Sequence, residues 1–141
     1  MSIWFKQFSL DEIQQRGKDT MVEHIGIKIV DFADDYLKGT MPVDHRTIQP
    51  MGILHGGASV VLAETLGSLA ANLVVDDGKK YCVGLDINAN HIRSASSGTV
   101  TGTAKPLHLG SSTQVWSIEI VDEKNRLVCI SRLTMAVLDR K

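Results

Sequence analysis

Between Tyr81 and Ile92 apolar and polar residues alternate, with Val83, Leu85, Ile87 and Ala89 on one side and Gly84, Asp86, Asn88 and Asn90 on the other. A two-residue period predicts a β-strand with one buried face. Three more β segments follow, Gly98 to Lys105, Thr113 to Val121 and Leu127 to Leu138, the last two joined as a hairpin across Asp122-Glu123-Lys124-Asn125-Arg126. Two shorter β-favouring runs come earlier, Ile25 to Val30 and Tyr36 to Pro42, separated by the turn-like Asp31-Phe32-Ala33-Asp34-Asp35.

Between the two groups of strands, Ala58 to Val75 is predicted as one long helix. It is apolar nearly all round, through Val60, Val61, Leu62, Leu66, Leu69, Leu73 and Val74. The Pro- and Gly-punctuated stretch Gln49 to Gly57 reads as the loop that feeds it, and Asp76-Asp77-Gly78-Lys79-Lys80 turns the chain after it. Within residues 1–24, Ser9-Leu10-Asp11-Glu12 and Thr20-Met21-Val22-Glu23 each have the form of a capping box, so each opens a short helix, the first closing near Gly17.

Runs of strands around a single helix predict an α+β layer architecture, and consecutive strands with short connections predict an antiparallel sheet. A helix apolar on all sides must be covered on more than one, here by a curled sheet and by a second subunit. Residues 1–141 are read as one domain, a length that suffices for a real core.

Composition narrows the function. The 15 basic and 16 acidic residues leave a net charge of −1, with no basic footprint for nucleic acid or an anionic membrane. The start Met1-Ser2-Ile3-Trp4-Phe5-Lys6 lacks the layout of a signal peptide, so the expected location is the cytoplasm. The long helix has the length of a membrane span, but Ser59, Glu64, Thr65, Ser68 and Asn72 interrupt it, and a transmembrane reading is rejected. Cys82 and Cys129 stand far apart without metal or redox spacing and read as free core thiols. The five histidines show no H-x-x-x-H pattern, so no metal is expected. There is no G-x-S-x-G elbow, P-loop or G-x-G-x-x-G fingerprint either.

One acid stands apart. From Thr47 through Val75, Glu64 is the only Asp, Glu, Lys or Arg. Position alone favours a solvated surface for a helical Glu, but Val60, Val61 and Ala71 offer little such face. An unpaired carboxylate on an apolar helix implies a chemical role or a hidden partner, because leaving water is costly for it. Ser68 lies one turn on and Gly57 about two turns back on the same face. The first amides of a helix lack internal acceptors, and Gly56 and Gly57 carry no side chain to block approach, so they are candidates to hold a developing oxyanion. A carbonyl held there would sit within one or two turns of Glu64, an acyl-transfer arrangement in which Gln49 and His55 orient the substrate or protonate a leaving group. The plainer alternatives are that Ser68 packs the helix and His55 fills a turn.

The stretch Gln49-Pro50-Met51-Gly52-Ile53-Leu54-His55-Gly56-Gly57, with Glu64 in Leu62-Ala63-Glu64-Thr65-Leu66-Gly67-Ser68, resembles the hot-dog-fold acyl-CoA thioesterases. The likeness is greatest to the branch with the phenylacetate-degradation, Arthrobacter-type 4-hydroxybenzoyl-CoA and 1,4-dihydroxy-2-naphthoyl-CoA thioesterases. It continues through Val83-Gly84-Leu85-Asp86-Ile87-Asn88-Ala89-Asn90-His91 and Gln114-Val115-Trp116. The resemblance implies an antiparallel sheet wrapped around a central helix, residues 56–75, in subunits that pair with active sites at the dimer interface, as a dimer or a dimer of dimers.

The same resemblance makes Glu64 the catalytic carboxylate, acting as base on water or as nucleophile through a mixed anhydride. It makes the Gly57 amide, with Gly56, the donor that polarises the thioester. Gln49 positions the carbonyl or the water, His55 lies near the thioester, Ser68 is a hydroxyl beside the acid, and His91 lines the site from the neighbouring subunit. For the coenzyme A phosphates, Arg93, Lys105 and His108 supply cations. Close relatives carry a basic residue after the Leu-Gly of the following loop, whereas this chain reads Leu109-Gly110-Ser111-Ser112, leaving the Gly110 and Ser111 amides as phosphate donors. The expected function is hydrolysis of an aromatic or medium-sized acyl-CoA, without a cofactor beyond the CoA of the substrate. The competing expectations are a hot-dog hydratase or dehydratase, which the Gly56-Gly57 context disfavours, and a non-catalytic acyl-CoA binding module, which the retained acid disfavours.

Overall fold

Alternation along the strands and a single apolar helix give one layer of sheet with one helix laid on it. The computed structural model describes residues 1–141. In chain order the elements are α1 (Leu10–Gln15), α2 (Met21–His24), β1 (Lys28–Ala33), β2 (Tyr36–Pro42), α3 (Gly56–Val74), β3 (Lys80–His91), β4 (Thr99–Leu109), β5 (Thr113–Val121) and β6 (Leu127–Asp139). All six strands form one antiparallel sheet in the order β1-β2-β4-β5-β6-β3. This is the expected α+β architecture, an antiparallel sheet around one long helix.

The helix and sheet fit because each leaves room where the other projects. Leu37 and Met41 of β2, Trp116, Ile118 and Ile120 of β5, and Leu133 and Met135 of β6 are all fully buried beneath Leu62, Leu66 and Ala70 of α3. Gly39 and Gly102 are paired across β2 and β4, and a Cβ on either would come within 2.7 or 2.8 Å of Leu66, so the two glycines form the hollow that receives it. The reverse fit occurs at Gly67, where a Cβ would meet Leu133 at 2.5 Å. In a close-packed core such contacts fix the axial position of α3, and with it every side chain on its outer face. By length and composition α3 would cross a bilayer, but eight of its residues are buried inside the protein.

Three elements depart from the expectation by two residues or more. The helix begins at Gly56, as the resemblance implied, rather than at Ala58 where the apolar pattern sets in, because the His55 side chain caps it and offsets the poor helix propensity of two glycines. β1 starts at Lys28 because Ile25 closes α2 and Gly26 turns with φ of 79°, and it runs on to Ala33 by pairing with Tyr36. β4 continues to Leu109 past an irregularity between Pro106 and His108.

The expected single face of β3 is corrected by a bulge. Gly84 pairs with Met135 and Ile87 with Leu133, two fully buried partners on β6, so Gly84 and Ile87 both face the helix. Leu85 and Asp86 together stand opposite Thr134 alone. One extra residue reverses the side-chain parity. Cys82 and Gly84 face inward before it, Ile87 and Ala89 after it, and Leu85 is turned out to 62% exposure. β3 is also an edge strand, bonded to β6 on one side only.

Candidate active site

The loop before α3 is held by its own backbone. His55 N–H donates to Thr47 C=O at 2.8 Å, Gln49 N–H to Ile53 C=O at 2.9 Å, and Leu54 N–H reaches Ala95 C=O at 2.7 Å, tying the loop to the segment after β3. Arg46 grips Asp44 at 2.7 Å, and its guanidinium lowers that carboxyl to about 2. The Gln49 side-chain oxygen accepts from Met51 N–H, which leaves its NH2 as the donor available to a ligand. Gln49, Gly56, Ser59, His91 and Arg93 meet in a cleft of about 280 Å³.

At the head of α3 the donors are not equivalent. His55 Nδ1 accepts from Gly57 N–H at 2.8 Å, and His55 C=O accepts from Ala58 and Ser59. The Gly57 amide expected to polarise a thioester is therefore engaged as a cap. Gly56 N–H is the amide without a protein acceptor, and it opens into the cleft. A Cβ on Gly56 would stand 2.8 Å from His91 Nε2, so the missing side chain is what lets the imidazole lie against the helix head.

Glu64 occupies a second groove, of about 410 Å³, which includes Met21, Val22, Val61, Thr65 and Ser68. It joins none of the ion pairs of the protein. Its Oε2 lies 2.5 Å from where a Gly84 Cβ would be, so the carboxylate rests on β3 at a place only glycine leaves open. Gly56 and Glu64 are eight residues apart, about 12 Å along the axis, and open into different depressions. Within one chain, then, the helix head and the acid are not brought together.

The residues assigned to the coenzyme A phosphates divide as well. Arg93 N–H donates to Val128 C=O at the start of β6. His108 instead pairs with Val115, which pairs with Thr134, and Ser112 C=O accepts from Val137. Six to nine residues of strand separate these points, roughly 20 to 30 Å. His108, Gly110 and Ser111 thus lie at the far end of the sheet from Arg93 in the same chain, and Lys105, level with Arg132 through Ser117, lies midway along it. The Gly110 amide expected to meet a phosphate donates to Thr113 C=O at 2.9 Å.

Two residues at the site carried no role in the sequence. Asn72 reaches from α3 to the unpaired edge of β3, accepting from Cys82 N–H at 2.8 Å and donating to Cys82 C=O at 3.2 Å and Ser68 C=O at 2.9 Å. Gly84 reads as a routine member of the polar side of β3, and no sequence period marks a bulge. No three His, Cys, Asp or Glu side chains converge to hold a metal.

A family model for the thioesterase superfamily matches residues 51–129. The chain is 55% identical over 136 residues to 1,4-dihydroxy-2-naphthoyl-CoA hydrolase of Escherichia coli, covering 96% of this chain and 99% of that one. It is 50% identical over 136 residues to the proofreading thioesterase EntH of Cronobacter sakazakii, covering 96% and 98%. The crystal structure of thioesterase HI1161 from Haemophilus influenzae matches with a TM-score of 0.95 at 52% identity, over 97% of this chain and 95% of that one.

Proposed function

This chain belongs to the thioesterase superfamily and is a thioester hydrolase with the hot-dog fold, and from that premise we propose that it hydrolyses aromatic or medium-sized acyl-CoA with Glu64 as the catalytic carboxylate. The observation that carries the proposal is the unpaired Glu64, seated on Gly84 in a half-apolar groove of the central helix. Likeness to a 1,4-dihydroxy-2-naphthoyl-CoA hydrolase supports an aromatic acyl group. The chemistry asks for no resident cofactor, since CoA arrives as part of the substrate.

In this reading Gly56 N–H and the Gln49 NH2 polarise the thioester carbonyl, and Glu64 either takes a proton from the attacking water or attacks the carbonyl itself. In the first route water oxygen bonds to the acyl carbon, the C–S bond breaks, and the proton held by Glu64 passes to the departing thiolate. A second copy of the chain completes the site. β3 is unpaired along one edge, and Asn72 occupies the outward groups of Cys82, so Gly84 to His91 is the stretch open to a partner. Antiparallel pairing of that stretch with itself carries His91, and the Gly56 beside it, from one copy toward Gly84 and Glu64 of the other. Long unpaired edges are ordinarily covered in this way or blocked.

The test is thiol release from benzoyl-, naphthoyl- and straight-chain acyl-CoA by the Glu64→Gln and Glu64→Ala variants. Turnover is expected to fall by about 10²- to 10⁴-fold, the range for a positioned acid or base. Unchanged turnover in a folded variant would sink the mechanism.

A further inference from the structure

We propose that Met21, on the four-residue helix α2, is the adjustable wall of the acyl site and limits the size of the acyl group that Glu64 can reach, a step that rests on the thioesterase reading above. The groove holding Glu64 lies between α2 and the outer face of α3. Its floor is Val61, Thr65 and Leu69, one residue per helical turn, fixed by the packing of α3 on the sheet. The facing wall is Met21 and Val22.

The two wall residues differ in freedom. Val22 is locked: its N–H donates to the Thr20 hydroxyl at 3.2 Å, its C=O accepts from Ile27 N–H at 3.0 Å, and its methyl lies 2.8 Å from where a Gly17 Cβ would be. Met21 is 60% exposed, and its backbone C=O accepts from Ile25 N–H. A thioether on three rotatable bonds, held only at its backbone, can swing to meet ligands of different width. An acyl group would therefore meet a rigid floor and a deformable wall. On this chain's side of the groove the polar groups are the Thr65 and Ser68 hydroxyls and the Glu64 carboxylate, with no Lys, Arg or His, so the acyl group that fits against it is a neutral ring or short chain, with hydroxyl substituents accommodated.

The test compares kcat/KM for 2-naphthoyl-CoA and benzoyl-CoA in the wild type, Met21→Ala and Met21→Phe, with thermal midpoints measured alongside. Met21→Ala should raise the naphthoyl-to-benzoyl ratio and Met21→Phe should lower it, each by about tenfold or more, as expected when more than one methylene changes in a pocket. A ratio unchanged in both variants, or an equal loss on both substrates, overturns the proposal while the Glu64 mechanism stands. Full activity in Glu64→Gln would instead remove the reading on which the proposal depends, and the proposal with it.

Discussion

Glu64 and Gly84 constrain one another: the acid can lie flat on β3 because the strand has no side chain there, and any Cβ would collide with its Oε2. Gly84→Ala should therefore displace the carboxylate without disturbing the buried core. Because misplacing a reacting group by about 1 Å costs roughly a hundredfold, kcat should fall to that extent while the thermal midpoint moves little. A Gly84→Ala enzyme with wild-type kcat would show that the carboxylate works from elsewhere. Glu64 was legible in the sequence because it is a single charge in a long uncharged stretch. Gly84 was not, since a glycine on the apparent polar side of a strand signals nothing about what crosses above it. The choice between Gly56 and Gly57 was likewise hidden, because it depends on the His55 side chain folding back onto Gly57 N–H. Burial raises the thiols of Cys82 and Cys129 above their ordinary 9.0. At pH 8 both thiols should resist a disulfide reagent in the native protein and react together once denaturant unfolds it; rapid native labelling would contradict their burial.

At the scale of elements, the strands were readable because β-favouring runs, one of them alternating, are separated by turn-forming residues, and the helix because its apolar run is bounded by glycines and a charged turn. The bulge in β3 was not, because Leu85 continues the apolar alternation that it in fact breaks. Only the buried partners on β6 reveal that the inward set changes from Cys82 and Gly84 to Ile87 and Ala89. The same strand lacks a neighbour on one side, and Asn72 substitutes for one, supplying an acceptor and a donor to the backbone of Cys82 just as a paired strand would. Removing the amide leaves that backbone pair without a partner, and unsatisfied groups of this kind cost about 1 to 3 kcal/mol. Asn72→Ala should lower unfolding stability by that amount in denaturant and speed hydrogen exchange at the Cys82 amide in particular. Asn72→Asp keeps an acceptor for Cys82 N–H but loses both donated bonds, so it should protect that amide while still losing stability. Equal exchange at Cys82 in all three proteins would mean that the strand edge is held by something other than Asn72.

For the molecule as a whole, the sequence carried the layer architecture and, through the family resemblance, the expectation of sites at a dimer interface with His91 from the neighbouring subunit, but it set the helix head beside the acid, because a linear spacing of eight residues from Gly56 to Glu64 looks short until the helix places them about 12 Å apart in separate grooves. That separation makes a sharp prediction if two copies share each site. A Glu64→Ala chain keeps its Gln49 and Gly56, and a Gln49→Ala chain keeps its Glu64. A symmetric homodimer of either variant has both sites impaired, but a mixed dimer has one site assembled from the two unaltered halves and one carrying both lesions. Random reassortment of equal amounts makes half of the dimers mixed, each with one of two sites intact, so mixing should restore about a quarter of wild-type activity. Two inactive proteins that regain activity on denaturation and joint refolding, in proportion to the mixed species resolved by mass spectrometry, would place Glu64 and Gln49 on opposite sides of a subunit boundary. Mixtures that remain as inactive as their components would mean that each chain closes its own site, and the loop before α3 would then have to travel most of the length from the helix head to the acid.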